Sequence, residues 1–99
     1  MEEFRLDISQ LQVLPDGELP SGTYFYRVVA ILPEGDGVES VNSLKVFAGY
    51  RGNSIGIFWD DVPGAEAYRV YRRKGVGIEG SILISPPSYF YDNGLIEFE

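Results

Sequence analysis

Short apolar runs, separated by turns that contain glycine or proline, recur along the whole chain. The clearest run, residues 23–32, is rich in the β-branched and aromatic residues that strands favour. No segment keeps its apolar residues at the helical period for long. Short strands at this spacing predict an all-β sandwich of roughly six to eight strands, with residues 1–99 forming a single domain.

Strand boundaries follow from the same alternation and from the turn residues. Residues 4–8 alternate apolar with polar and predict a first strand that continues towards Val13. The Pro-Asp-Gly sequence at residues 15–17 predicts a turn, because proline presets φ and glycine reaches positive φ. Residues 38–48 are expected to form one further strand. The remaining strands are expected over residues 55–59, 68–73, 82–84 and 88–91, with the prolines at 86 and 87 interrupting any ladder.

Composition removes several classes of function. The chain has no histidine and no cysteine, so the commonest general base, the commonest transition-metal ligand and any thiolate site are absent. Its 8 basic and 15 acidic residues give a net charge of −7, which argues against nucleic-acid binding because phosphate backbones repel it. The opening Met-Glu-Glu-Phe lacks the basic and apolar regions of a signal peptide. No apolar run has the length of a membrane span, so no membrane insertion is expected.

The motifs that suggest catalysis or ligand binding each have a simpler explanation. Asp60 and Asp61 are adjacent at a strand end, so they point to opposite faces and cannot share a proton as a catalytic dyad. Glycine-rich residues 75–80 follow a strand without opening the helix that a phosphate cradle requires. Acidic loop residues offer oxygens to calcium, namely Asp16, Glu18, Glu34, Asp36 and Glu39. However, no loop has the spacing of an EF-hand. We therefore expect no enzymatic activity, no metal and no cofactor.

Two further motifs leave binding open. The basic run at residues 72–74, Arg-Arg-Lys, suits an acidic glycan or protein partner, although such runs are more often solvated strand ends. The Tyr-Phe-Tyr sequence at residues 89–91 offers rings on which a sugar can stack, although packing in a core or at a sheet edge is the more frequent role.

Two longer segments carry a recognisable pattern. Residues 54–73, SIGIFWDDVPGAEAYRVYRR, hold an alternating apolar strand ending in Trp-Asp, a Val-Pro-Gly-Ala turn and Tyr-x-Val-Tyr-Arg. Residues 20–43, PSGTYFYRVVAILPEGDGVESVNS, hold Tyr-x-Tyr-x-Val-x-Ala, a glycine-containing loop and Glu-Ser. The first resembles the B–C hairpin of a fibronectin type III domain and the second its F–G hairpin, in reversed order. The resemblance implies an immunoglobulin-like sandwich with permuted strand order, a chain cut across two adjacent modules, or two chains exchanging halves, and the Met1 start favours the first.

The family register implies a face for each side chain. It places these residues inward: Tyr24, Tyr26, Val28, Ala30, Ile55, Ile57, Trp59, Tyr68 and Val70. Tyr24 matches the family's corner tyrosine, whose hydroxyl bonds nearby backbone. Because the family's C and F strands are neighbours, outward residues would merge into a mixed patch of the kind enriched at binding hot spots: Phe25, Arg27, Val29, Arg69, Tyr71 and Arg73. The alternative is that outward aromatic residues only pair across strands for stability.

A longer match implies a biological setting. The matching residues are Leu19, Pro20, Gly22, Thr23, Tyr24, Tyr26, Arg27, Val28, Gly37, Glu39, Ser40, Trp59, Val62, Pro63, Gly64, Ala65, Tyr68, Val70, Tyr71, Arg72, Tyr89 or Tyr91, Asp92, Gly94 and Leu95. They resemble segments common in tailed-bacteriophage virion proteins and bacterial surface proteins. This implies a non-enzymatic structural or adhesive module of a phage particle (tail, fibre or capsid surface), made in the host cytoplasm, that binds other virion proteins, its own copies or host-surface glycan. The alternative is an extracellular accessory module of a secreted polysaccharide-degrading enzyme or of a bacterial surface protein.

Overall fold

The structure, a computed structural model, describes residues 3–99, and the predictions that involve Met1 and Glu2 lie outside this range. Residues 3–99 form one short 3₁₀ helix and eight strands. The helix is Ile8–Gln10, and the strands are β1 (Gln12–Leu19), β2 (Gly22–Ile31), β3 (Gly37–Glu39), β4 (Leu44–Ala48), β5 (Asn53–Phe58), β6 (Ala67–Lys74), β7 (Gly80–Ile84) and β8 (Tyr89–Asp92).

The strands build two antiparallel sheets that pack face to face. The smaller sheet has the order β1-β5-β8. In the larger sheet β2 is central: β6 and then β7 lie on one side, and the short strands β3 and β4 follow one another along the other side. The predicted all-β sandwich is therefore confirmed.

Inward-facing side chains of both sheets form the core, as the alternation predicts. Along β2, Tyr24, Tyr26, Val28 and Ala30 are buried while the residues between them are half-buried. The other predicted inward residues are also buried: Ile55, Ile57, Trp59, Tyr68 and Val70. The Tyr24 hydroxyl donates to the carbonyl of Pro20 at 2.5 Å, so the predicted bond from this tyrosine to nearby backbone is confirmed.

The prediction of a strand over residues 4–8 is wrong. Phe4 and Leu6 are buried, and Leu6 makes a single bridge to Trp59, but Ile8 is 68% exposed and begins the 3₁₀ helix. The Asp7 side chain accepts a hydrogen bond from the Ser9 N–H, which caps this helix. A local capping interaction thus overrides the apolar alternation.

The predicted turn at residues 15–17 is instead an irregularity within β1. The register of β1 against β5 shifts between Leu14, opposite Ser54, and Leu19, opposite Asn53. Gly17 lies against the neighbouring strand, where an added Cβ would stand 2.1 Å from the Asn53 carbonyl oxygen. The Pro-Asp-Gly sequence therefore produces a bulge, because the tertiary pairing of β1 continues past it.

The predicted strand over residues 38–48 is interrupted. It divides into β3 and β4, and the intervening segment makes side-chain bonds beside isolated backbone bonds, such as that from the Ser40 N–H to the Val28 carbonyl at 2.8 Å. The Ser40 hydroxyl accepts from the Val28 N–H at 3.3 Å, while the Asn42 side chain bonds both the N–H and the carbonyl of Leu6. This break ties the N-terminal segment to the edge of the larger sheet.

Candidate interaction surface

The six outward residues predicted to form a patch lie directly opposite one another on β2 and β6. Their Cα pairs are Phe25 with Arg73, Arg27 with Tyr71, and Val29 with Arg69. We call these six residues the outer ladder. The Arg27 guanidinium lies 3.7 Å from the centroid of the Tyr71 ring, and that of Arg73 lies 4.1 Å from the centroid of the Phe25 ring. The two strands therefore bring every predicted patch residue together and stack two of its arginines on aromatic rings.

The arginines of the outer ladder also have partners within the chain. Arg27 forms ion pairs with Glu39 at 2.9 Å and with Glu79 at 2.8 Å. The hydrogen bond from Arg27 is the largest influence on Glu79 and lowers the pKa of that carboxyl group. Arg73 donates to the Gly75 carbonyl, and Arg69 donates to the Ser81 hydroxyl at 3.3 Å. The side chains of the outer ladder are thus preorganised, and the charge of Arg27 is balanced by the carboxylates of Glu39 and Glu79.

Two exposed apolar residues flank the outer ladder, and sequence reasoning missed both. Phe47 on β4 is 73% exposed and lies opposite Thr23, next to Phe25 on the same face. Leu83 on β7 is 53% exposed and lies opposite Arg69. The alternation of residues in β4 and β7 indicates that Phe47 and Leu83 point outward. That they extend the surface of the outer ladder follows only from the pairing of β4 with β2 and of β7 with β6. The outer face is therefore broader and more apolar than the ladder alone.

A shallow depression opens beside the ladder. It has a volume of about 150 Å³ and is lined by Phe25, Tyr26, Arg27, Ser43, Arg73 and Glu79. Its lining combines an aromatic ring with charged groups held in fixed positions. The depression gives the outer face a concave feature that can receive a side chain of a partner.

The opposite face of the sandwich carries an aromatic cluster of Phe58, Tyr89 and Tyr91. The three ring centroids are 5.7 to 6.0 Å apart. Tyr91 lies over Gly56, where an added Cβ would stand 2.6 Å from its ring. Tyr89 and Tyr91 remain 42% and 44% exposed, while Phe90 between them is buried. The cluster covers β5, the middle strand of the smaller sheet, and still leaves part of two tyrosine side chains exposed to solvent.

A buried ion pair joins the two sheets. Asp92 on β8 is fully buried and accepts two bonds from Arg72 Nη1, at 2.8 and 3.0 Å, and one from the Tyr26 hydroxyl at 2.7 Å. Arg72 and Tyr26 are themselves opposite one another on β6 and β2, and Arg72 stacks on Phe98 at 4.0 Å. Sequence analysis placed Arg72 in a basic run and Asp92 only among the residues of the longer resemblance, so this interaction was missed.

The other sequence motifs occupy the following places. Asp61 accepts from the Ser88 hydroxyl, whereas Asp60 lines a depression near the 3₁₀ helix. Asp16 accepts from the Ser54 hydroxyl at 2.6 Å. Residues 75–79 connect β6 to β7 without a helix, as expected. Within residues 3–99, no group of three or more acidic side chains is arranged to hold a metal ion.

Comparison with protein-family models gave no match, and comparisons with curated proteins and with solved structures gave none either. Across the described part of the chain, no helix is long and apolar enough to span a bilayer. The resemblance to fibronectin type III modules therefore stays a prediction from the sequence motifs.

Proposed function

We propose that this chain is a non-enzymatic interaction module of a phage particle, positioned in the tail, a fibre or the capsid surface. The observation that carries the proposal is the outer ladder, whose six mixed aromatic, aliphatic and arginine side chains lie in one register on two central strands. Surfaces of this composition are enriched at binding hot spots. The phage setting comes from the sequence resemblance to virion and surface proteins.

Preorganisation supports an interaction role for the ladder. Two of its arginines are stacked on rings, and Arg27 is also held by two carboxylates. A partner that docks here has little side-chain entropy to remove, which favours affinity. The flanking exposed residues Phe47 and Leu83 enlarge the apolar area available for burial.

Location in purified particles is the first test of this function. The proposal expects the chain to co-purify with virions through a density gradient and to remain with them after a high-salt wash. Recovery only in the soluble fraction of the lysate, with none in the particles, would contradict a virion role. The same gradient separates free chain from particle-bound chain, so the two outcomes are distinguishable.

The ladder itself is tested by replacing Tyr71 and Arg69 together with alanine. We expect association with particles to weaken by at least about 2 kcal/mol, as for hot-spot residues. The matched control replaces Tyr89 and Tyr91 with alanine, since these residues are exposed aromatics on the opposite face. Unchanged association together with a large loss of thermal stability would show that the ladder serves only the sandwich.

A second candidate function, glycan contact, is favoured by the aromatic cluster. Tyr89 and Tyr91 present partly exposed rings beside Phe58 on the smaller sheet. This function suits both an adhesive virion module and an accessory module of a polysaccharide-degrading enzyme. A glycan array run with the parent and with the Tyr89→Ala/Tyr91→Ala variant tests it, and binding by the parent that the variant loses is the supporting result. Equal signals from the two proteins would contradict it.

A further inference from the structure

The turn between β6 and β7 presents two aliphatic side chains entirely to solvent. Val76 and Ile78 are 102% and 97% exposed. Their backbone is held by three bonds: Gly75 N–H to the Thr23 carbonyl at 2.9 Å, Gly77 N–H to the Lys74 carbonyl at 2.9 Å, and the Arg73 guanidinium to the Gly75 carbonyl. We call residues 74–78 the apolar tip. Because the tip is tied down at its base, its apolar atoms project into water.

Basic side chains stand at the base of this tip. Lys74 is exposed, and within residues 3–99 neither Lys74 nor Arg73 forms an ion pair. Arg73 stacks on Phe25 and acts on the nearby Glu79 carboxylate, whose pKa it helps to lower, so Lys74 supplies the exposed positive charge beside the two aliphatic groups. The tip therefore suits a partner surface that is apolar at its centre and acidic at its rim.

A surface of that description lies elsewhere on the same chain. A depression of about 350 Å³ is lined by Arg5, Leu6, Asp7, Ile8, Ser9, Asn42 and Asp60. Ile8, which is 68% exposed in the 3₁₀ helix, supplies its accessible apolar part, because Leu6 is buried in the core. Hydrogen bonds from Ser9 lower the pKa of Asp7, so this carboxylate is ionised at neutral pH. With one arginine and two aspartates, the lining has a net charge of 1 − 2 = −1.

The tip and the depression lie at opposite ends of the sandwich. The tip bonds to Thr23 near the start of β2, and the start of β5 is at the same end because the Asn53 side chain donates to the Leu19 carbonyl at 3.0 Å. The depression includes Asp60, which follows the far end of β5. A tip therefore cannot reach the depression of its own chain, but it can reach that of another copy.

We propose that the apolar tip of one copy inserts into the acidic depression of the next, so that the chain associates head to tail. Val76 and Ile78 would contact Ile8, and Lys74 would pair with Asp60. A second copy is the occupant favoured here because both complementary surfaces occur on one chain. Such a contact is heterologous, so it builds a ring where the rotation between copies closes and an open filament where it does not.

This self-association goes beyond the proposed function, because its contacts are made by Val76, Ile78 and Lys74, which belong neither to the outer ladder nor to the aromatic cluster. The two proposals therefore fail separately. Head-to-tail contact is compatible with a virion location and with an extracellular one. The Tyr71→Ala/Arg69→Ala variant is expected to keep its self-association.

Sedimentation equilibrium from micromolar to millimolar concentration tests the inference. The parent is expected to show an average mass that rises with concentration beyond a dimer. Val76→Asp/Ile78→Asp removes the tip, and Asp60→Lys removes the acidic rim of the depression. Each variant is expected to self-associate at least about tenfold more weakly, as the loss of interface anchors implies. Leu95→Asp, at a residue 72% exposed outside both surfaces, is the matched control and should behave as the parent.

Mixing the two variants gives the sharpest result. One retains an intact depression and the other an intact tip, so an equal mixture should form two-chain species that do not grow further. The substitutions at residues 60, 76, 78 and 95 are at exposed positions, those at residues 69 and 71 are at half-buried ones, and thermal melts check that each variant is folded. A parent that stays monomeric, a mixture that stays monomeric, or loss of association only in the Tyr71→Ala/Arg69→Ala variant would each overturn the proposal.

Discussion

Replacing Asp92 with alanine tests whether the buried ion pair holds the two sheets together. Asp92 is 0% exposed, and its carboxylate accepts bonds from Arg72 on β6 and from the Tyr26 hydroxyl on β2. The substitution removes the carboxylate that the smaller sheet contributes to this network. It leaves a guanidinium and a buried hydroxyl without their acceptor at the interface between the sheets.

The magnitude follows from the burial of the groups left behind. Breaking a buried pair by removing one partner destabilises a protein by about 3–5 kcal/mol. The Arg72 side chain is 22% exposed, so it can recover some hydration and the lower part of that range applies. Tyr26 is 1% exposed, so its hydroxyl cannot be hydrated in place of the lost bond. We expect a loss of about 3 kcal/mol, or about 12–24 °C in Tm, since about 1 kcal/mol shifts Tm by about 4–8 °C in a domain of this size.

The assay is urea unfolding followed by circular dichroism, with a double-mutant cycle. Asp92→Asn/Arg72→Met replaces both charges with groups of similar size, and we expect it to be more stable than Asp92→Ala because no charge is left unpaired. Asp36→Asn, in an exposed loop, is the matched control and should change stability by less than about 0.5 kcal/mol. A loss in Asp92→Ala no larger than in this control, or a cycle showing no coupling with Arg72, would refute the reasoning.

Three further predictions concern the core, alkaline pH and calcium. Trp59→Ala should destabilise the protein by about 3–5 kcal/mol. Trp59→Phe should cost less stability, because the buried indole N–H has no partner within residues 3–99. The parent protein should show blue-shifted tryptophan emission, and emission typical of a solvent-exposed tryptophan would contradict the burial of Trp59. Burial raises the pKa of Tyr26 above its ordinary value of 10.0, so as pH rises the unfolded state loses this proton before the folded state does. The free energy of unfolding should therefore fall as pH rises above 10.0. In the Tyr26→Phe variant this free energy should fall less steeply with pH, and an equal slope would contradict the assignment. Melts with calcium and with a chelator should coincide, and a rise of several degrees with calcium would reveal a loop site, since ligand binding stabilises the native state.

The faces of the long strands could be predicted from the sequence alone. Successive side chains of a strand point to opposite sides, so Tyr26 and Arg27 must lie on opposite faces of β2 wherever the strand lies. The resemblance to fibronectin type III hairpins implied which face is inward, and it placed Tyr68 inward and Tyr71 outward on β6. The six residues of the outer ladder could therefore be predicted from the sequence, once β2 and β6 were assumed to be neighbouring strands.

Local signals failed where a tertiary contact or a competing local bond decided the backbone. Ile8 continued the apolar alternation but lies in a capped 3₁₀ helix, and the Pro-Asp-Gly sequence at 15–17 lies in a bulge of a strand that continues. Ser40 and Asn42 interrupt the predicted strand because their side chains bond backbone groups of β2 and of the N-terminal segment. Propensity describes one segment at a time, whereas these outcomes depend on which segment lies alongside it.

By itself, the sequence determined the class of the fold through its periodicity of two, and its resemblance to fibronectin type III hairpins implied which side of β2, β5 and β6 faces the core. The tertiary structure alone decided which distant residues meet. Arg72 and Asp92 are 20 positions apart and lie on different sheets. The tip at Val76 and the depression at Asp60 are close in sequence yet lie at opposite ends of the sandwich. Such relations depend on the order in which strands pair and on how the sheets stack, and no local pattern encodes either of these.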